Sequence, residues 1–460
     1  MKKNLIPLFG LAFAGLALTS CGSAYKPLGL KTKDKPVIFY NRFPFKDAAG
    51  TQVDTDTLNH NPNTFYVGPS PKQGGVMQGD LILNYIKDHT AAELDRNGDG
   101  ALGYVMLVGQ QGQDACIYRS NEVRKKLDTY TAKFDKDLTS EMKVADYEAG
   151  ESNRAKVGKA TTKDGKELQV KELIAAISQD AGGTWSNTQA NNLAASWKTT
   201  YGDKIDLIIS NNDGMGMTVY NSIVDKNYRV PVFGFDANTD AVNAINPDGE
   251  DAKTKGIAYG GTISQNAEGQ TYLVLQVIRN VLDGVKFDDK GGYTMPTSTT
   301  KTKQKDLAEN KEYEVDLPDV LVNGISKETA QGGISSSATW YTSEDKQLQT
   351  TNTMIDSTNW KDYASGVPLD KKVKAVADDA REYNVFLTCY NSADNFVNGQ
   401  LLPTFKQYAK LLKLNLTIVS GDGNNESLIT NSMNNLDNYE AFILNMTSTN
   451  AGQTYMDILK

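Results

Sequence analysis

Short apolar runs alternate with amphipathic stretches along most of this chain. Pro36-Val37-Ile38-Phe39-Tyr40 and Phe65-Tyr66-Val67-Gly68 read as buried strands, and Gly75 to Leu94 as a helix with Met77, Leu81, Ile82, Tyr85 and Ile86 on one face. The alternation continues with a strand over Tyr104 to Gly109, a helix from Arg119, and a strand over Ile205 to Ser210. A helix over Met215 to Ile223, strands over Val230 to Asp236 and Gly256 to Tyr259, and a long helix from Gln270 to Leu282 follow. Such a pattern predicts an α/β fold with parallel sheets covered by helices on both faces, and polar ligands at the carboxyl ends of the strands.

From about Asp288 to Lys374 the texture changes. Thr297 to Lys305 is rich in Thr and Lys, and Gly332 to Gly366 in Ser, Thr, Gly and Asn, so most of this stretch is expected to be loop or linker. Only Tyr313 to Leu317 and Val320 to Val322 resemble strands. Three βα units then return: Asn384 to Cys389 before a helix from Phe396 to Leu412, Leu414 to Val419 before one near Glu426 to Leu436, and Ala441 to Asn445 before a last helix ending at Lys460. A doubly wound domain should continue with a further strand. Pro36 to Tyr40, at the other end of the chain, is an orphan strand of that kind.

The 460 residues suffice for two or more domains, and 39% hydrophobic with 23% charged residues is ordinary for a globular protein. A net charge of -8 and a pI near 5.1 disfavour a nucleic-acid partner. Two His leave little for a zinc site or a Ser-His-Asp triad. Residues 1–21 carry Lys2 and Lys3, an apolar core from Leu5 to Leu18, and Leu18-Thr19-Ser20-Cys21. That ending resembles a bacterial lipobox. A signal segment cut before Cys21 is expected, with acylated Cys21 anchoring the chain to a membrane and residues 22–34 as tether. Cys116 and Cys389 are then too few for a disulfide framework.

Asp95-Arg96-Asn97-Gly98-Asp99-Gly100 has the start of a calcium loop, with oxygen side chains at alternate positions and a glycine at the sixth. Met106 stands where an EF-hand has its bidentate Glu, and a strand follows instead of a helix. A cation here needs a remote carboxylate, and an Asx-rich turn without metal is the alternative.

Several stretches together carry a family resemblance: Pro36 to Asn41, Gln78-Gly79-Asp80-Leu81-Ile82, the Asp95 loop, Ile209-Ser210-Asn211-Asn212-Asp213, Gly234-Phe235-Asp236 and Asp394-Asn395-Phe396. The chain resembles the periplasmic galactose/glucose-binding proteins of sugar ABC transporters. The resemblance implies a type I periplasmic binding protein fold: two doubly wound parallel-sheet lobes with a hinge. The segment like Asn384 to Lys460 opens the protein in that family and here comes last, so the resemblance implies a circular permutation. Residues 35–79, 266–292 and 375–460 would form lobe 1, residues 80–265 and 312–330 lobe 2 with the calcium loop, and residues 331–374 the linker joining the ancestral termini. Residues 125–180 exceed what the resemblance explains.

A pyranose offers two apolar faces and a rim of hydroxyls, so its cleft needs aromatic surfaces with amides and charges in the ring plane. By resemblance Phe396 and Trp185 stack on the sugar from opposite lobes, and Asn41, Arg119, Asn212, Asp236 and Asp394 are polar contacts. Each has a plainer reading: Trp185 a packed loop aromatic, Phe396 a core residue, Asp394 a helix cap, Asn212 and Asp236 turn residues, Arg119 a surface ion-pair member. The family's His and Asp before the Arg align with Gln113 and Ala115, with Asp114 displaced by one and able to serve after a register shift. The family's Asn aligns with Gln265, beside Asn266. For the ion, the resemblance implies Asp95, Asn97, Asp99, the Ala101 carbonyl and Asp206, with Gly103 replacing a Gln ligand and Asp206 one methylene shorter than the family's Glu.

The resulting expectation is a monomeric, lipid-anchored binding protein of the bacterial cell envelope, facing the periplasm or exterior. It would capture glucose or galactose, hold a structural calcium and hand the sugar to an ABC permease. A sensor docking on a chemoreceptor or signalling partner is the alternative, and a glycoside-processing enzyme using Asp394 and Asp236 a further one.

Overall fold

The computed structural model describes residues 28–47, 52–110, 113–130, 156–181, 183–283, 301–306, 311–316, 339–342, 347–350, 352–364, 375–376, 378–422 and 425–460. The expected signal segment with Cys21, and the parts of the expected linker at 331–338, 343–346, 351 and 365–374, lie outside them.

Two parallel sheets dominate. The first contains β1 (Val37–Tyr40), β2 (Thr64–Pro69), β11 (Thr339–Thr342), β12 (Gln347–Thr350), β14 (Tyr383–Cys389), β15 (Leu414–Ser420) and β16 (Ala441–Leu444), in the order β11-β12-β2-β1-β16-β14-β15. The orphan strand finds its neighbours at both ends of the chain: β1 pairs in parallel with β2, Val37 opposite Thr64, and with β16, Val37 opposite Phe442. All four residues of β1 are fully buried, as an unbroken apolar run in a central parallel strand requires. The last eighty or so residues therefore complete the lobe that the first strand begins.

The second sheet runs β4-β5-β3-β6-β7, built from β3 (Ala101–Val108), β4 (Gly158–Thr161), β5 (Glu167–Ile177), β6 (Leu207–Ser210) and β7 (Val232–Phe233). Here the described end of the unexplained stretch 125–180 acquires a role, since β5 pairs with β3 from Gln169 to Ile177. Glu172 on β5 is completely buried and accepts from Arg124 Nε at 2.7 Å, Arg124 Nη2 at 3.0 Å and the Tyr104 hydroxyl at 2.8 Å. The polar letters of this segment hid a core strand because one of its charges is paired inside. Gly256 to Tyr259 is not the expected strand. That strand is β8 (Thr262–Ser264), a few residues on, after Gly256 ends a short helix with φ 77.

The expected linker is largely structured in its described parts. β12 pairs in parallel with β2 at the edge of the first sheet, and β13 (Thr353–Ile355) pairs antiparallel with β8 beside the second. The chain thus passes between lobes near Ser70, at residues 265–266 and at Asn352. Asn352 ties two crossings together, its Nδ2 donating to the Ser70 carbonyl at 2.9 Å and to Gln73 Oε1 at 3.2 Å. A helix over Pro71–Asp88, capped by Ser70, leaves the first crossing and packs wholly on the second sheet, with Gln78 Nε2 bonded to the Ser210 and Gly234 carbonyls. The expected boundary between residues 79 and 80 falls in the middle of that helix, and the boundary belongs at Ser70. Tyr313, expected in lobe 2, lies in β10 (Lys311–Asp316), which pairs only with β9 (Lys301–Asp306) among the described residues.

Candidate functional site

The lobes face each other across the carboxyl ends of their strands. Between them lies a small cavity of about 20 Å³ lined by Asn41, Trp185, Phe396 and others from both lobes. Eight of the nine expected residues line it: Asn41, Arg119, Trp185, Asn212, Asp236, Gln265, Asp394 and Phe396. Asp114 does not. Its neighbours Gln113 and Ala115 face the cavity instead, because Asp114 is the first residue of the helix Asp114–Lys126 and turns its buried carboxyl behind the wall. Burial pushes that carboxyl up to about 6, an effect reduced by the Ala115 N–H and by Arg42 and Arg119. Asn266, the neighbour of Gln265, caps the helix Ala267–Leu282 through the Gly269 N–H at 3.1 Å.

Three lining residues are held in left-handed backbone: Asn41 at φ 60, Trp185 at φ 59 and Asp236 at φ 110. For Trp and Asp that conformation costs on the order of 1–3 kcal/mol each and persists where surrounding structure enforces it, typically at a functional site. Trp185 is pinned on one side by a glycine, since a Cβ on Gly109 would lie 2.1 Å from Trp185 Cε3. Its Nε1 is buried and has no partner among the described residues.

Among the polar lining residues, Arg119 is the organiser. It donates from Nη1 to the Asn211 carbonyl at 2.7 Å, lies 3.6 Å from Asp236 Oδ1 and places its guanidinium 3.7 Å over Phe235. The plainer reading of Arg119 as a surface residue fails, because the side chain is buried. Asp236 also accepts from Gln265 Nε2 at 2.5 Å. Burial pushes Asp236 up to about 7, with Arg119 and Gln265 pulling it down and Asp394 across the cleft pushing it further up. Asp394 and Asn212 combine two roles. Asp394 Oδ1 accepts from the Phe396 and Val397 N–H groups at 2.9 and 3.1 Å, and Asn212 Oδ1 from Met215 at 2.9 Å, so each caps a helix while lining the cavity.

Three residues of the site escaped the sequence reading. Arg42 is buried, lies 3.8 Å over the Tyr390 ring, donates to the Met446 and Thr447 carbonyls, and keeps Nε and Nη2 unpartnered among the described residues. Tyr390 lines the cavity directly after β14. Gln400 joins the lobes, its Nε2 donating to the Asp236 carbonyl and to Asn238 Oδ1, both at 2.9 Å. For Arg42 and Tyr390 a signal existed, as they stand two residues and one residue past the end of a buried strand.

The expected ion loop lies on the second lobe, away from this cavity. Gly98 and Gly100 take φ 72 and 80, and the two Asp95 oxygens accept from the Gly98 and Gly100 N–H groups at 2.8 and 2.9 Å. Asp206 reaches the same loop from its remote position, accepting from Arg96 N at 3.0 Å and Gly103 N at 2.9 Å, close enough to Asp95 for the charges to repel. All-oxygen donors of this kind suit a hard cation. Among the described residues no three His, Cys, Asp or Glu side chains are gathered tightly enough to hold one.

Residues 30–286, more than half of the chain, match the periplasmic binding protein domain, and residues 382–452 match a second domain of the same description. The chain belongs to the periplasmic binding protein family. Among similar proteins is the D-galactose/methyl-galactoside binding periplasmic protein MglB of Haemophilus influenzae, 26% identical over 255 residues. That alignment covers 55% of this chain and 59% of the relative, so the periplasmic binding protein described here spans about three-fifths of that relative's length. Solved structures with partial likeness include an ABC transporter periplasmic solute binding protein from Actinobacillus succinogenes with bound D-allose, at 14% identity, TM-score 0.36 and coverage of 71% of this chain and 72% of that one. Another is the Caulobacter myo-inositol binding protein bound to myo-inositol, at 14% identity, TM-score 0.34 and coverage of 73% and 69%. No helix among the described residues of this periplasmic binding protein is long and apolar enough to cross a membrane.

Proposed function

We propose that this protein captures a monosaccharide of the glucose or galactose type between its lobes and delivers it to an ABC transporter permease. The carrying observation is that Trp185 and Phe396, from opposite lobes, line one cavity whose rim holds Arg119, Asp236, Asp394 and Asn41. Two aromatic surfaces suit the apolar faces of a pyranose, and charged or amide groups beside them suit its hydroxyls. A ligand touching both lobes favours the shut arrangement, and a permease can recognise that arrangement. Titration calorimetry with glucose and galactose should give saturable binding accompanied by a change in tryptophan fluorescence and no product. Absence of binding by every common hexose would overturn the reading.

Three further features belong to this proposal. Cys21 serves as an acylated anchor holding the protein in the bacterial cell envelope, and [³H]palmitate labelling that survives Cys21→Ala would sink that part. Asp95, Asn97, Asp99, the Ala101 carbonyl and Asp206 would have to draw together around a structural calcium that pins the loop, well away from the sugar. The present order of segments derives from a circular permutation, supported by β16 lying beside β1 at opposite ends of the chain.

A further inference from the structure

The cleft does not end at Trp185. Beyond it opens a second cavity of about 200 Å³, ten times the volume of the first, which shares Trp185, Asn212 and Asp394 with it. Both lobes wall the second cavity: Asp180, residues 183–187, Asn212 and Gly214 from the second, Asn391 and residues 393–395 from the first.

Its chemistry differs from that of the cleft. The walls carry four asparagines, at 187, 212, 391 and 395, two aspartates, at 180 and 394, and no basic residue. Three of these amides converge on Gly214, where a Cβ would lie 3.1 Å from Asn187 Oδ1 and 3.6 Å from both Asn212 Nδ2 and Asn395 Nδ2. Asn187 and Asn395 belong to opposite lobes. Both are exposed, at the solvent side of the cavity. An amide both donates and accepts, so such a group answers a neutral hydroxyl in either sense without the cost of desolvating a charge.

Building on the sugar reading above, we infer that this second cavity is a subsite for a second, neutral sugar ring. The ligand class is then a disaccharide or larger glycoside, with its first ring between Phe396 and Trp185 and its second among the asparagines. Trp185 forms a wall of both cavities, and a ring in the outer one would touch both lobes and add to closure.

The test compares glucose and galactose with lactose, melibiose, maltose and cellobiose by titration calorimetry on the intact protein and on the Asn187→Ala/Asn395→Ala double variant. At least one disaccharide should bind tenfold or more tightly than its component monosaccharides. The double variant should lose most of that gain while binding monosaccharides as before. Monosaccharide binding with every disaccharide weaker or excluded overturns the second subsite and leaves the monosaccharide reading standing. A disaccharide gain untouched by the double variant overturns the placement among the asparagines. No binding by any of the six sugars overturns the sugar reading itself, and the subsite with it.

Discussion

At Asp236 a single carboxyl connects pH to function. Buried, it titrates near 7 in the free cleft rather than at its ordinary 3.8. The folded protein therefore holds this proton more tightly than the unfolded chain, and Asp236's contribution to stability falls as pH rises from about 4 to about 7. Ligand binding has the opposite slope. A sugar hydroxyl donating to Asp236 favours the carboxylate, so affinity should climb as pH rises through about 7 and level off above it, with a proton released on binding at lower pH. Calorimetric titrations across that range should show the slope in the wild type and lose it in Asp236→Asn. A pH-independent Kd in the wild type would contradict the assignment. Trp185→Ala should weaken hexose binding by about tenfold or more, the equivalent of about 1.4 kcal/mol for one lost aromatic face. Because Trp185 is a loop residue only partly buried, its loss should leave the thermal transition nearly unmoved.

Two elements decide how the site is held. The stretch Val397–Leu401 is a π-turn preceding the helix Leu402–Leu411, and such a bulge rotates the following side chains relative to a regular helix. That rotation accompanies the contact of Gln400 with Asp236 and Asn238, which reading Phe396 to Leu412 as a regular helix does not anticipate. Gln400→Ala removes a bond that exists only when the lobes meet, so it should raise the hexose Kd several-fold, chiefly through faster release, without lowering stability of either lobe. Unchanged release rates in stopped-flow fluorescence would argue against a closing role. Strand β5 depends on Glu172, whose partners are all buried. Glu172→Ala removes the buried carboxylate that Arg124 and Tyr104 share and should cost about 3–5 kcal/mol in urea unfolding. A loss under 1 kcal/mol would mean that water reaches the pair.

For the whole molecule, the decisive arrangement is β1 between β2 and β16, strands drawn from both ends of the chain. If segment order is secondary to that arrangement, a rearranged chain should fold. One beginning at residue 375, running through Lys460 by a short flexible loop into residue 30, and ending at residue 364 should keep cooperative unfolding and sugar binding. Aggregation, or loss of the hexose site with the lobes intact, would show that the present order matters. The calcium proposal is tested at the same scale: chelator should lower the transition temperature by several degrees relative to calcium-saturated protein, and Asp206→Asn should abolish the difference. A transition indifferent to calcium would leave the loop an Asx-rich turn.

Much of the site was legible through the family resemblance, whose polar contacts fall where a parallel sheet presents residues at one edge. Asn41, Asn212, Asp236 and Asp394 all stand just past apolar runs, and the structure gathers them around one cavity. Arg42 and Tyr390 stand in equivalent places but read as ordinary continuations, since nothing in a strand pattern says which of two successive residues turns inward. Asp114 shows the same limit, for one residue of phase at the helix start puts Gln113 and Ala115 on the wall and the carboxyl behind it. The strand at 167–177 was missed because its buried Glu172 is satisfied by Arg124 and Tyr104, and β12 and β13 because their backbone partners, β2 and β8, lie far away in sequence.

By itself, the sequence determined what local periodicity can specify: alternating strands and helices, hence parallel sheets, and a polar edge where ligands gather. Only tertiary structure decided which distant segments share a sheet, that Trp185 and Phe396 line the same cavity, that a stretch resembling a linker supplies edge strands, and that a second amide-lined cavity opens beyond the first. The reason is physical. Periodicity records which face of an element is buried, whereas the partner that buries it, and the space left between two such partners, depend on packing between residues hundreds of positions apart.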